Sequence, residues 1–152
     1  MTTTKEFYDA FWQEFIQSMN WPSPTVGSPR KAVHARPSSP KNYYDFDRDF
    51  GNGFRPTVGI SKQKDHLLAQ LSTHKSGRHI VEKLKADYPM SSHAIEPYVH
   101  LFVSDSDAKI ELIWHNAEVE NRKLWPVHHL WLRNSLELLT SIYNPILSGA
   151  SR

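Results

Sequence analysis

The sequence predicts an α+β fold, an antiparallel sheet with N-terminal, central and C-terminal helices packed on it. Three observations lead there. The two ends of the chain carry apolar residues at helical spacing. Two internal stretches alternate apolar and polar residues on either side of turn-forming clusters. The strands are clustered and the helices flank them, which favours helices segregated onto one face of an antiparallel sheet. At 152 residues, of which 39% are hydrophobic and 12% aromatic, the chain is long enough to bury one core, so a single domain over 1–152 is expected.

The first element is a helix over 3–20. Phe7, Phe11 and Phe15 recur every fourth residue, with Tyr8, Trp12 and Ile16 beside them, which makes one broad apolar stripe. Thr3 followed by Glu6 fits a capping box, and Trp21-Pro22 ends the helix because a residue before proline avoids the helical conformation. Residues 22–42 hold five of the ten prolines and several serines and read as a loop or an extended arm. Tyr43–Phe46 and Phe54–Ile60 read as a strand pair around Gly51-Asn52-Gly53, with Pro56 placing the second strand at an edge or a bulge.

Residues 62–87 read as helical, because Leu67, Leu68 and Leu71 are followed by Ile80, Val81 and Leu84, with Gly77 as a candidate break. Tyr98–Val103 and Lys109–His115 form a second hairpin around Ser104-Asp105-Ser106-Asp107, a cluster of Asx-turn formers. A terminal helix follows to about residue 147. Pro126 sits in its first turn, Val127, Trp131, Leu138, Ile142 and Ile146 form its buried stripe, and Asn144-Pro145 distorts its last turn.

Composition excludes several classes. With no cysteine there is no disulfide, thiolate zinc site or cysteine nucleophile. No run approaches the roughly 18 apolar residues of a membrane span, and the first residues do not resemble a signal peptide. Together these give an expectation of a cytoplasmic protein. Net charge is +2 but unevenly spread: −2 over residues 1–20, +5 over 21–64 and −1 over 65–152.

That basic segment carries the main candidate surface. Arg30, Lys31, Arg36, Lys41, Tyr43, Tyr44, Arg48 and Arg55 interleave cations with rings, the combination that neutralises phosphates and stacks on bases. The alternative, rings in the core and cations on a solvated rim, stays open. Catalytic constellations are missing. The acidic-residue-then-lysine pattern of metal-dependent nucleases occurs near a strand only as Asp107-Ala108-Lys109, in a turn. No Gly-x-Ser-x-Gly elbow or P-loop is present. Among nine histidines, His128 and His129 diverge by about 100° on a helix, and His66, His74 and His79 lack the i,i+4 spacing of a helical metal pair. No catalytic residue, metal or cofactor is therefore assigned. Trp125 and Trp131 read as core, their N–H groups paired with carbonyls.

Phe11-Trp12 in the first helix, Lys109-Ile110 in a strand, and Trp125, His128 or His129, Trp131-Leu132 and Asn144-Pro145-Ile146 at the end form a pattern. In it the chain resembles an uncharacterised bacterial and archaeal family, known only as a domain of unknown function. Its members occur alone or at the C-terminal end of nuclease- and restriction-like proteins. The resemblance covers nearly the whole chain, with residues 22–42 as an insertion. It implies a DNA- or defence-associated accessory role and supplies no catalytic residues. The expected function is a non-enzymatic interaction module with a protein partner, nucleic acid being a second candidate. The alternative is a divergent metal-dependent nuclease using Asp45, Asp47, Asp49 or Glu111 with a lysine.

Overall fold

The computed structural model describes residues 3–30, 43–47, 53–87 and 99–149. In chain order these form α1 (Thr4–Ser18), β1 (Pro29–Arg30), β2 (Tyr43–Phe46), β3 (Arg55–Ser61), β4 (His66–Thr73), α2 (Lys75–Asp87), β5 (His100–Val103), β6 (Ala108–His115), a 3₁₀ turn (Arg122–Leu124) and α3 (Trp125–Gly149). The strands make one antiparallel sheet in the order β1-β2-β3-β4-β6-β5, so the expected α+β class holds.

Alternation along the strands separates the two faces of the sheet. Tyr44 and Phe46, Val58 and Ile60, Leu67, Ala69 and Leu71, Ile110 and Leu112, and Leu101 and Val103 fall on one face by register. They meet the helices there, with α3 over β3 and β4, α2 over β5 and β6, and α1 against α3. The other face carries no helix among the described residues.

α1 forms as its sequence requires. The Thr3 hydroxyl accepts from the Glu6 N–H at 3.1 Å and donates to the Glu6 carboxylate, so the Thr/Glu pair caps the helix start. Phe11, Trp12 and Phe15 are wholly buried.

Four expectations need correction. Residues 66–73 are strand β4, not helix. Leu67, Ala69, Leu71 and Thr73 are buried in strict alternation, and a turn at Asp65 with φ +50° separates β4 from β3. Gly77 does not break a helix; it lies in the first turn of α2. Pro56 sits inside β3, a central strand, and is tolerated because the β2 ladder stops at Asp45↔Thr57, one residue short of it. The proline-rich 22–42 segment is not wholly loop, since Pro29 and Arg30 pair with Phe46 and Asp45. Gly51 and Asn52 of the expected turn, and Tyr98 of the second hairpin, lie outside the described residues. Around Asp107 that hairpin is as expected: the Ser104 N–H donates to the Asp107 carbonyl and the Asp107 N–H to the Ser104 hydroxyl.

Gly77 lets α2 close onto the end of β4. A Cβ built there falls 2.6 Å from Cε2 of Phe54 and 2.6 Å from Oγ1 of Thr73, and both residues are buried. Alanine would gain up to about 1 kcal/mol of helix propensity, but overpacking a rigid site costs about 1–3 kcal/mol. Gly77→Ala is expected to lower the thermal midpoint; a rise would show that the contact yields.

Candidate functional site

The terminal helix holds the surface that stands out. Its inner face buries His128, His129, Leu132, Leu136, Leu139 and Tyr143. The stripe expected to be buried is instead the outer one. Val127 is 53% exposed and Leu138 43%, while Trp131 and Ile142 are half-buried; the Ile146 side chain lies outside the described residues. Leu130, at 51%, adds to this face. Spacing alone did not choose between the stripes, because α3 is apolar on two sides and the inner side includes two histidines.

The outer stripe forms one wall of an open groove. Val127, Trp131, Ser135 and Leu138 line it from α3, and Leu112, Ile113 and Trp114 from β6. Trp114 and Trp131 meet at 5.8 Å between ring centroids, and Trp114 also meets the His128 ring edge-on at 5.2 Å. Trp131 is therefore a groove residue, not core. Trp125 is core: it is 3% exposed, its indole N–H donates to the Val119 carbonyl at 2.8 Å, and Phe7 and Phe11 of α1 pack edge-on against it.

Beneath this face the paired histidines diverge as expected. His128 Nε2–H donates to the Ala117 carbonyl at 2.7 Å, and His129 Nε2–H to the Phe11 carbonyl at 3.0 Å. Burial pushes both imidazoles down, His129 to about 4. Both are neutral struts that fix α3 to α1 and to the loop after β6. Nδ1 of His128 is buried without a hydrogen-bond partner among the described residues.

The helix-free face of the sheet is laid out in rows. One row runs Tyr43, Gly59, Leu68, Ile113; the next runs Asp45, Thr57, Gln70, Glu111, His100; a third runs Arg55, Ser72, Lys109, Phe102. A shallow depression lies between Tyr43, Asp45, Gln70 and Lys109. The interleaved candidates divide around this sheet. Tyr43 and Arg55 are exposed on the helix-free face. Tyr44 points the other way and packs against Trp12 at 5.1 Å. The Arg30 backbone pairs with Asp45 in β1. Lys31, Arg36, Lys41 and Arg48 lie outside the described residues.

The carboxylates named for a nuclease do not converge. Asp45 accepts from the Thr57 hydroxyl and Asp47 from the Ser28 N–H. Asp45 and Glu111 share a row but sit three strand spacings apart, about 14 Å, whereas paired catalytic metals are about 4 Å apart. Asp107 pairs with His74, and Asp49 lies outside the described residues. Among the described residues no group of three or more His, Asp or Glu is arranged to hold a metal ion. No helix among them is long and apolar enough to cross a membrane.

No protein-family model and no curated protein matches this sequence. Among solved structures, a chain from the "Structure of the HopA1-SchA Chaperone-Effector Complex" is similar at 14% identity, with 90% of this chain and 98% of that chain covered and a TM-score of 0.39.

Proposed function

We propose that this protein is a non-enzymatic protein-interaction module whose binding surface is the outer face of α3 and the groove it makes with β6. One observation carries the reading: α3 is apolar on two opposite sides, and among the described residues the core covers only one. A helix hydrophobic all round is normally buried all round. The exposed Val127, Leu130 and Leu138 flank the half-buried Trp131 beside Trp114, and apolar patches of this kind on protein surfaces mark contact surfaces. The two tryptophans supply the rigid aromatic anchors that dominate interface energetics. The occupant that fits is a protein segment offering its own apolar stripe, laid along the groove as a helix.

Leu138→Glu and Val127→Glu are expected to abolish partner capture at least tenfold while leaving the circular dichroism spectrum and thermal midpoint unchanged, since both side chains are exposed. Lys109→Glu, on the opposite face of the sheet, should capture normally. Equal capture by all three variants would remove the groove from the reading.

The resemblance to a nuclease-associated family, together with the +5 charge over residues 21–64, supports the finer reading that the partner belongs to a DNA-linked or defence assembly. A direct nucleic-acid contact along that segment would give binding to labelled DNA that weakens steeply between low and moderate salt. Absent or salt-independent binding rejects it, and cleavage of that DNA on addition of Mg²⁺ would revive the nuclease alternative.

A further inference from the structure

The helix-free face of the sheet ends, at the β4–β6 side away from Arg55, in two facing histidines. His66 opens β4 and His115 closes β6, and the two are direct cross-strand partners. Directly opposed residues of an antiparallel pair project to the same face with Cβ atoms about 5 Å apart. Their rings follow: the centroids are 6.2 Å apart and the planes cross at 69°.

Three other described histidines already have partners. His128 and His129 are bonded to backbone carbonyls and His74 to Asp107. His66 and His115 have no hydrogen-bond partner among the described residues, so their ring nitrogens are available. The charged neighbours are placed unevenly. Burial holds His66 below its usual value, Lys64 and His115 push the same way, and only Asp65 opposes them. The Asp65 carboxylate is already taken by the Glu118 and Val119 N–H groups at 3.2 and 2.8 Å. Two imidazoles without other hydrogen-bond partners among the described residues therefore face each other at a partly exposed edge, where water can complete a coordination shell.

We propose that His66 and His115 form a two-imidazole site for a borderline divalent transition ion such as Zn²⁺ or Ni²⁺, with water in the remaining positions. Imidazole is the donor these ions prefer at neutral pH. A coordinating nitrogen lies about 2.0–2.1 Å from zinc, which places a ring centroid about 3.2 Å from the ion and the centroids of two ligating rings at most about 6.4 Å apart. The observed 6.2 Å lies inside that limit, and a small side-chain rotation of the exposed His115 narrows the angle towards tetrahedral. The bound ion would clamp the ends of β4 and β6 and present open coordination positions on the sheet face opposite the α3 groove, so the proposal stands independently of the docking surface.

Calorimetric titration of the full chain with ZnCl₂ and with NiCl₂ at pH 7.5 tests it. A saturable event of about one ion per chain is expected. His66→Gln and His115→Gln should each weaken it about tenfold or more, and the double variant should abolish it, as a pair of weak ligands acting together requires. His74→Gln and His100→Gln should leave it unchanged. Binding should also weaken at pH 5.5, where protons compete for the same nitrogens. Both histidines lie on the solvent side of the sheet, so unchanged circular dichroism spectra will show that the variants fold. Absence of a saturable event, or equal weakening by His74→Gln or His100→Gln, overturns the proposal.

Discussion

Replacing Phe11 with alanine is expected to lower the unfolding free energy by about 3–5 kcal/mol, the usual range for truncating a buried aromatic. A domain of this size has only about 5–15 kcal/mol to lose. Phe11 is fully buried, and three rings close on it, Trp12 of its own helix at 5.1 Å and Trp125 and His129 of α3 at 5.1 and 4.6 Å, all near edge-on. The void left by alanine would sit between α1 and the start of α3. Neither rigid helix can collapse into it without moving Trp125 off its bond to Val119. Urea unfolding should show a lower midpoint with an unchanged slope. Leu130→Ala, on the exposed side of α3, should change stability by no more than about 0.5 kcal/mol. A loss below about 1 kcal/mol for Phe11→Ala would mean that the ring cluster is not the anchor of α3.

That contrast also marks what the sequence makes legible. α1 is readable because its apolar residues occupy a single stripe and its cap is local, so no tertiary choice intervenes. The second hairpin is readable because the Ser/Asp cluster closes its own turn. β4 is misread because Leu67, Leu68 and Leu71 satisfy helical spacing as well as a strand would. Leu68 is the source of the ambiguity: it belongs to the helix-free face and lines up across the sheet with Ile113, so the strand is apolar on both sides at that point. Ala69, the residue that completes the buried period of two, is too small to register as part of a pattern.

The same ambiguity recurs in α3 with larger consequences. Either stripe of this helix fits a period of 3.6. The buried choice depends on polar contacts far away in sequence, the Ala117 and Phe11 carbonyls that receive His128 and His129. Histidines are usually surface residues, and nothing local says that two adjacent ones face the core. Once they do, the helix is rotated so that Val127, Trp131 and Leu138 turn outward. A stripe that reads as core in the sequence thereby becomes the groove wall. The basic aromatic run is likewise only half legible: Tyr43 and Tyr44 are neighbours in sequence, but strand alternation sends them to opposite faces.

Because neutral histidines set that rotation, acid should weaken the fold. An unfolded histidine titrates near 6.5 and folded His129 at about 4, lowered by burial, with the Phe11 carbonyl bond and Glu14 opposing the shift. Between those values the unfolded chain takes up a proton that the folded chain refuses. Stability is therefore fully present above about pH 6.5 and falls as pH drops towards 4, by at most about 1.4 kcal/mol per pH unit and about 3 kcal/mol in all. His128, lowered for the same reason, adds in the same direction. Carboxylates also contribute near pH 4, so the window from 6.5 to 5 isolates the imidazoles. His129→Gln supplies the control, since an amide N–H can still donate to Phe11 but does not titrate. Urea midpoints measured at pH 7.5, 6.5, 5.5 and 5.0 should fall more steeply for the wild-type chain than for His129→Gln. Parallel curves would show that His129 is not the acid-sensitive strut. Steeper loss in the wild type should also disrupt partner capture over the same window, because the groove exists only while α3 is held in this rotation.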